Sequence, residues 1–333
     1  MPASGDAWSA RLSAVPASLR LPLIPVLLAL AWGLNWPAVK TLLTLLPPFA
    51  ARGLGLGLGA LLLLGLAALQ RKPVWPARAA WPGIVVGGLL TVALFNTCTA
   101  FAQLATSTSR AAVLTFTMPL MSAALAWWLL GERPGRRGAW ALVLGGLGIA
   151  VLALPVLQAV LALHSGQGAA LRGLLLPLAA ALAWASGTVV AKRWPPLGDR
   201  MVFTAWQLLL GAAVTTLGAL LTGEHLPPLW ARMADGSWAL AWPPRVVVAL
   251  TYHVLVATAV AYVLWYRLLA AHSVTVASLT TLAVPVVGVL GAMALVGDRP
   301  SPADWLGFAL VLAGAALAVL KPATAGSVKR ADR

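Results

Sequence analysis

Acidic residues, histidines and the single cysteine are the side chains with which this chain could do acid–base, nucleophilic or metal chemistry. All eight acidic residues fall in tails, in loops or at the ends of apolar stretches, and no HExxH pattern, paired carboxylates or metal-spaced Cys/His set occurs. Cys98 has no histidine near it in the sequence. Because catalytic and metal sites need such groups in clusters, the sequence predicts no catalytic residues, no metal site and no cofactor, and disfavours an enzyme.

A second set of polar residues lies inside the apolar stretches, at helical spacing. At about 100° per residue, each of three stretches keeps its polar and aromatic residues on one face. The three stripes are Asn96, Gln103 and Ser107; Thr108, Thr115, Pro119 and Ser122; and Thr251, Thr258, Tyr262 and Trp265. Polar groups in hydrocarbon are costly and face the bundle interior, so the stripes together predict a central cavity. For any one Ser or Thr, the alternative is a hydrogen bond between helices.

A proline inside an apolar stretch removes the hydrogen bond to the carbonyl four residues back. Pro37, Pro119 and Pro285 are therefore predicted hinge or gating positions, and the freed carbonyls are those of Gly33, Thr115 and Thr281. A freed carbonyl can accept a hydrogen bond from a ligand, from water or from a neighbouring hydroxyl. The alternative is a kink without ligand contact, which still gives the bundle a place to bend.

Aromatic and histidine side chains complete the candidate site. Asn35 and Trp36 are predicted to line the cavity, whereas Trp32 and Trp184 are interpreted as packing residues between two repeats. His253 follows Tyr252 and is the only histidine in a predicted span; it is a candidate for sensing protons or contacting a carboxylate, or a structural residue. The predicted substrate-binding residues are Asn35, Trp36, Asn96, Gln103, Thr115, Tyr252, His253, Thr258, Tyr262, Trp265 and Thr281.

The elements that must position these residues follow from composition. Hydrophobic residues make up 61% of the 333 residues, charged residues only 9%, and the mean hydropathy is +0.90. A soluble domain carries about 25% charged residues, so the chain is predicted to be an all-α membrane protein. The net charge of +15 is spread between apolar runs, which argues against a nucleic-acid-binding patch.

Ten apolar stretches are long enough to span a bilayer, and a cytoplasmic N-terminus places sixteen Lys and Arg residues on the inner side and seven on the outer. Both termini are therefore predicted to be cytoplasmic. The stretches are 22–44, 48–70, 81–105, 107–130, 138–158, 170–191, 201–222, 245–269, 273–296 and 303–320. The predicted organisation is an N-terminal tail (1–21), a first five-helix repeat (22–158), a connector (159–169), a second repeat (170–320) and a C-terminal tail (321–333).

An internal duplication supports this division. The segment ALAWGLNWPAVK at 29–40 matches ALAWASGTVVAK at 181–192 with an offset of 152, and GERP at 131–134 matches GDRP at 297–300 with an offset of 166. Five helices is an odd number, so the second copy must begin on the opposite side of the membrane. Inverted repeats of this kind are typical of secondary transporters, with the substrate site where the copies meet.

With its WGxNW-type first helix (Trp32 to Pro37) and its GERP and GDRP turns, the chain resembles the EamA-type branch of the drug/metabolite transporter superfamily over about 22–320. It is similar to bacterial exporters of aromatic amino acids and paraquat. The resemblance implies export of small metabolites, most simply neutral or aromatic amino acids, by alternating access in the cell inner membrane. The second repeat departs from the motif, since Gly187 and Thr188 stand where Asn35 and Trp36 do.

Other functions stay open at this point. A multidrug or cationic-toxicant exporter of the same fold and a passive channel are the alternatives, and saturable counter-transport distinguishes a transporter from a channel. No buried carboxylate is predicted to carry protons, which favours facilitated export, exchange, or coupling through His253. The expected partners are a small-molecule substrate and the lipid bilayer; a monomer is sufficient, and the sequence does not fix the oligomeric state.

Overall fold

The computed structural model describes residues 17–130, 135–161, 167–191, 194, 197–232, 235, 237–262, 264 and 274–319. Nearly all regular structure in these ranges is helical. The α-helices are α1 (Ala17–Gly33), α2 (Asn35–Leu42), α3 (Pro48–Leu69), α4 (Trp81–Gly87), α5 (Phe95–Ala105), α6 (Thr108–Thr115), α7 (Met118–Leu130), α8 (Arg136–Leu161), α9 (Gln167–Ala191), α10 (Arg200–Thr222), α11 (Pro244–Thr251), α12 (Val274–Val296) and α13 (Pro302–Val319).

Membrane-spanning capacity is distributed along the whole described chain. Six helices are long and apolar enough to cross a bilayer, at 48–69, 78–105, 108–129, 136–155, 168–190 and 200–222. Four shorter apolar helices lie at 26–42, 244–260, 283–296 and 302–317. The helical membrane fold predicted from composition is therefore confirmed, while ten crossings, the repeat boundaries and the side of each terminus remain predictions.

The loop between α10 and α11 contains two short strands that composition did not indicate. Strands β1 (Trp230–Arg232) and β2 (Trp238–Leu240) form an antiparallel hairpin in which Trp230 pairs with Leu240. Trp242 follows β2, is buried, and donates from Nε1 to the carbonyl of Pro227 at 3.1 Å. These contacts fold the loop over the end of the bundle at which α3 begins.

Pro37, Pro119 and Pro285 do not have the same effect on their helices. Leu34 separates α1 from α2 three residues before Pro37, and Phe116 and Thr117 separate α6 from α7 just before Pro119. In both places the proline lacks the N–H that would continue the α-helical ladder. By contrast, α12 continues through Pro285 without a break.

Two π-helical segments occupy matching places in the two halves. One (Gly88–Leu94) joins α4 to α5, and the other (Tyr252–Val260) follows α11. In the second segment the hydroxyl of Thr258 donates to the carbonyl of His253, five residues back, at 2.9 Å. The wider turn puts His253 and Thr258 on one face, whereas Thr251, predicted to share that face, is exposed.

Glycines allow helices of opposite halves to approach closely. A Cβ added to Gly55 of α3 would lie 2.6 Å from Cδ2 of His253, and one added to Gly59 would lie 2.6 Å from Cγ2 of Thr258. The glycine spacing of α3 therefore serves contacts within the bundle. Leu56 and Leu63, on the same helix, belong to a buried apolar cluster that α10 also lines.

Candidate functional site

A cavity of about 520 Å³ lies between the two halves. Val39, Arg52 and Gln103 line it near the loops that join α2 to α3 and α5 to α6; we refer to this as the Arg52 end. Thr188 lines it near the C-terminal end of α9, which we refer to as the Thr188 end. The volume is within the range of about 300–1,000 Å³ that is usual for small-molecule sites.

The structure brings together eight residues that the sequence predicted for the site. These are Asn35, Trp36, Asn96, Gln103, Pro119, His253, Thr258 and Tyr262, and all of them line the cavity. They come from α2, from α5, from the start of α7, and from the second π segment and the residues just after it. Their contact with a substrate remains a prediction, but the side chains do share one cavity.

The other predicted residues lie elsewhere. Thr115 is buried outside the cavity lining, and Tyr252 donates its hydroxyl to the carbonyls of Leu30 and Ala31 at 3.1 and 3.0 Å. Tyr252 therefore connects the second π segment to α1. Pro37 packs toward Gly291 of α12, and Pro285 is buried in α12. Trp265 and the side chain of Thr281 lie outside the described part of the chain.

Aromatic rings form much of the wall. The ring of Trp32 lies edge-on to Tyr262, with centroids 6.1 Å apart, and that of Trp184 lies 5.0 Å from Phe95. Each pair joins one half to the other, so the interpretation of Trp32 and Trp184 as inter-repeat packing residues describes their contacts. It was incomplete, because both tryptophans also line the cavity.

His253 is fixed in place by two neighbours. Its Nδ1 lies 2.7 Å from Oδ1 of Asn35, and because an amide oxygen only accepts, Nδ1 is the donor. The other side of the ring lies against Gly55, where a Cβ would be 2.7 Å from Nε2. Asn35 and His253 therefore form one polar bridge between α2 and the second π segment.

Arg52 is the residue that sequence reasoning missed. The count of Lys and Arg residues on each side of the membrane included Arg52 among the seven outer ones. In the structure it lies in the second turn of α3, is 5% exposed and lines the cavity. Its Nη2 donates to Oγ1 of Thr99 at 3.0 Å, and Thr99 in turn donates to the carbonyl of Asn96 at 3.0 Å. The Nε of Arg52 has no hydrogen-bond partner. An arginine within the apolar stretch 48–70 was the available signal.

Such a cation is expensive to bury. Insertion scales put an arginine at the centre of a spanning helix at about 2.5–3.5 kcal/mol, and intramembrane charges usually mark a substrate or ion pathway. No acidic residue among those described lines the cavity. Among the described residues, the hydroxyl of Thr99 is the group that accepts a hydrogen bond from this guanidinium.

Gln103 lies beside Arg52 at the same end of the cavity. Its side chain is 1% exposed, and its Oε1 has no hydrogen-bond partner. Its backbone carbonyl is already occupied, because Lys40 donates to it from Nζ. The amide oxygen therefore remains as a buried acceptor in the cavity lining.

The described acidic residues make their contacts at the ends of the bundle. Asp298 accepts from the backbone N–H and hydroxyl of Ser109 at 2.7 and 2.9 Å, and Asp304 pairs with Arg110. Glu224 accepts from the backbone N–H of Ala50 at 2.9 Å. These three contacts lie at the Arg52 end, close to the loops after α2, α5, α10 and α12.

Comparison with known proteins identifies the family. The sequence matches the EamA-like transporter family over residues 22–154 and 171–320, one match for each half. The chain belongs to this family. It is therefore a multi-pass membrane transporter and not an enzyme, as the repeat and the WGxNW-type segment indicated.

Individual relatives agree with this assignment. A probable amino-acid metabolite efflux pump of Salmonella typhimurium is 25% identical over 298 residues, 87% of this chain and 92% of that protein. The uncharacterized transporter YvbV of Bacillus subtilis is 28% identical over 211 residues, 63% of this chain and 66% of that protein. A solved structure has a TM-score of 0.59 at 21% identity, covering 90% of this chain and 97% of its own, which supports the fold alone.

Proposed function

We propose that this protein is a secondary transporter that exports small neutral or aromatic amino acids by alternating access through the central cavity. In this proposal ten helices cross the cell inner membrane as two inverted five-helix repeats, with both termini in the cytoplasm. The observation that carries the proposal is the position of the cavity, between the halves and lined by both. Inverted-repeat transporters bind substrate at this junction and expose it to either side by rocking one half against the other.

The lining favours an amino acid over a cationic toxicant. Trp32, Trp36 and Trp184 offer apolar and aromatic surface, whereas the charged group in the wall is the cation of Arg52. A cationic drug would meet a positive charge there, with no acidic side chain among the described lining residues to offset it. The Salmonella relative named as a probable amino-acid metabolite efflux pump supports the same choice.

Energy coupling is proposed to be facilitated export or exchange. Proton carriers in membrane transporters are most often buried carboxylates, and the described lining residues include none. The alternative is coupling to protons through His253, which lies in the cavity wall. The dependence of transport on an imposed pH gradient separates the two.

The test is uptake into proteoliposomes that contain the purified full-length protein. A panel of amino acids, cationic drugs and nucleobases is offered, and each active compound is then tested for counterflow. We expect saturable uptake of neutral or aromatic amino acids, accelerated by unlabelled substrate inside the vesicles. Uptake of cationic drugs alone contradicts the amino-acid assignment, and flux without saturation or counterflow indicates a channel.

A further inference from the structure

Two buried polar atoms in the cavity wall lack partners, and they are of opposite kind. Nε of Arg52 is a donor and Oε1 of Gln103 is an acceptor, and neither makes a hydrogen bond to the residues that the structure describes. Both residues line the cavity, and they are 5% and 1% exposed. Buried polar groups are almost always satisfied, so an unpaired donor and an unpaired acceptor in one cavity indicate a ligand that supplies both complements.

The two atoms are held near each other by α5. Arg52 donates to Thr99, and Gln103 follows Thr99 by four residues on the same helix face. One helical turn rises about 5.4 Å, so the two groups reach neighbouring parts of one small molecule. The other hydrogen-bonding groups nearby are already used: Thr99 donates to Asn96, and the Gln103 carbonyl accepts from Lys40.

Charge specifies the ligand further. The described ion pairs involve Lys72 with Asp199 and Arg110 with Asp304, and neither includes Arg52. A guanidinium in a site of low dielectric is best matched by a planar anion such as a carboxylate. The Gln103 oxygen is suited to an ammonium, which donates and cannot accept.

We propose that Arg52 binds the carboxylate of the transported molecule and that Oε1 of Gln103 accepts a hydrogen bond from its ammonium group. The substrate class is then the zwitterionic α-amino acids, bound with the charged end at the Arg52 end of the cavity. The side chain extends toward Trp32, Trp184 and Tyr262. This assignment rests on the proposed export of amino acids and names the groups that recognise them.

The first test uses the wild-type protein and three aromatic probes. Phenylalanine carries both charges, phenylalanine amide lacks the carboxylate, and 3-phenylpropionate lacks the ammonium. We expect the dissociation constant, measured on the purified full-length protein, to rise at least tenfold for the amide and at least threefold for 3-phenylpropionate. Equal affinity for phenylalanine and its amide would overturn the role of Arg52.

The second test replaces Arg52. Arg52→Gln should abolish the preference for phenylalanine over its amide. Arg52→Lys should restore part of it, because a lysine keeps the charge but lacks the planar guanidinium that can bind both carboxylate oxygens. Arg78→Gln is the matched control, since Arg78 is exposed in the loop before α4. A merely structural arginine would lower the affinity for both probes and leave the preference intact. If Arg52→Gln does not fold, the wild-type probe series still decides.

An inorganic anion is the other possible source of negative charge at Arg52. Chloride is therefore varied against sulfate at constant ionic strength. Unchanged affinity for phenylalanine supports a substrate carboxylate, whereas affinity that rises with chloride shows a resident ion and overturns the assignment.

The outcomes also separate this inference from the proposed function. If no amino acid binds or is transported while 3-phenylpropionate binds through Arg52, export of amino acids is wrong and so is the role given to Gln103. If amino acids are exported but Arg52→Gln keeps the preference, the function stands and the assignment of the carboxylate fails.

Discussion

The two halves contact each other through one interface that is built twice. In one copy α3 packs against the second π segment, and a Cβ on Gly55 would lie 2.6 Å from the ring of His253. In the other, α10 packs at the start of the first π segment, and a Cβ on Gly87 would collide with the side-chain nitrogen of Gln207. The repeat offset of 152 makes Gln207 the counterpart of Gly55, and the offset of 166 makes Gly87 the counterpart of His253. In the first contact the glycine lies on α3 and the larger residue on the second π segment. In the second contact the larger residue lies on α10 and the glycine lies just before the first π segment.

The polar chemistry of the halves is not duplicated in the same way. Arg52 of α3 corresponds to Thr204 of α10, and Asn96 of α5 corresponds to Tyr262 after the second π segment. The first half thus has a cation and an amide where the second has a hydroxyl and a phenol; Arg52, Asn96 and Tyr262 line the cavity, and Thr204 is not in its lining. The close contacts are thus present in both copies, whereas the side chains of the two halves differ and the cation of Arg52 comes from the first half alone.

The largest effect is expected from filling the space at Gly55. Gly55→Leu forces α3 away from His253, and overpacking of this kind costs about 3 kcal/mol when the backbone must move. We expect a large fall in the thermal unfolding midpoint in detergent and loss of uptake. Gly65→Leu is the matched control, because nothing lies within 4 Å of a Cβ there. A Gly55→Leu protein as stable as this control would contradict the interface.

A variant that gives one contact the residues of the other tests whether the two contacts are equivalent. The double variant Gly55→Gln, His253→Gly gives the first interface the residue pair of the second. If the interfaces are equivalent, the double variant should recover most of the stability that Gly55→Gln loses alone. Failure to recover would show that the match in sequence offset does not extend to packing.

The ends of the bundle provide the next comparison. At the Arg52 end, Asp304 accepts from Nε of Arg110 at 2.9 Å and from the backbone N–H and hydroxyl of Ser301 at 2.9 Å. Its counterpart by the repeat is Gly138, which cannot make such contacts. Asp304→Ala leaves a partly buried arginine unpaired, and we expect a stability loss of about 2 kcal/mol. The same substitution at the exposed Asp235 is the control and should change little.

The duplication, the second π segment and Arg52 show what the sequence could and could not predict. The matching segments at 29–40 and 181–192 predicted two related halves because short runs of residues can be compared directly, and the family matches once in each half. Thr251 was predicted to share the face of Thr258 but is exposed, because stripes counted at α-helical spacing do not hold in a π segment, where Thr258 bonds five residues back. The role of Arg52 was missed because its environment depends on α5, distant in sequence.

A smaller effect is expected at the contact that pairs Thr258 with Gly59. Its equivalent in the other interface pairs Val92 with Gly211, so a valine already fits this packing. Thr258→Val should therefore cost only the hydroxyl's hydrogen bond to His253, about 1 kcal/mol, seen as a modest fall in the unfolding midpoint. Val92→Thr is the reciprocal control. A loss of about 3 kcal/mol or more from Thr258→Val would show that the two contacts are not equivalent.

The smallest effect concerns the loop before α10, at the end opposite Arg52. Asp199 accepts from the backbone N–H groups of Met201 and Val202 as the N-cap of α10, and it pairs with Lys72 at 2.8 Å. Partial burial acts to raise the pKa of this carboxyl, but the hydrogen bonds from Lys72, Val202 and Met201 outweigh burial and hold the pKa below its usual value.

A lowered pKa in the folded state means that the ionised carboxylate stabilises the fold above the unfolded pKa of about 3.9, and that this contribution is lost as the pH falls through the folded pKa. Asp199→Asn keeps a capping oxygen and loses the charge, so it should cost less than about 1 kcal/mol at pH 7. Asp199→Ala also loses the cap and should cost about 1 kcal/mol more. Unfolding midpoints measured from pH 7 down to pH 3 should show the gap between wild type and Asp199→Asn narrowing only below about pH 4. A gap that is constant across this range would mean that the charge of Asp199 contributes nothing and that capping alone stabilises the start of α10.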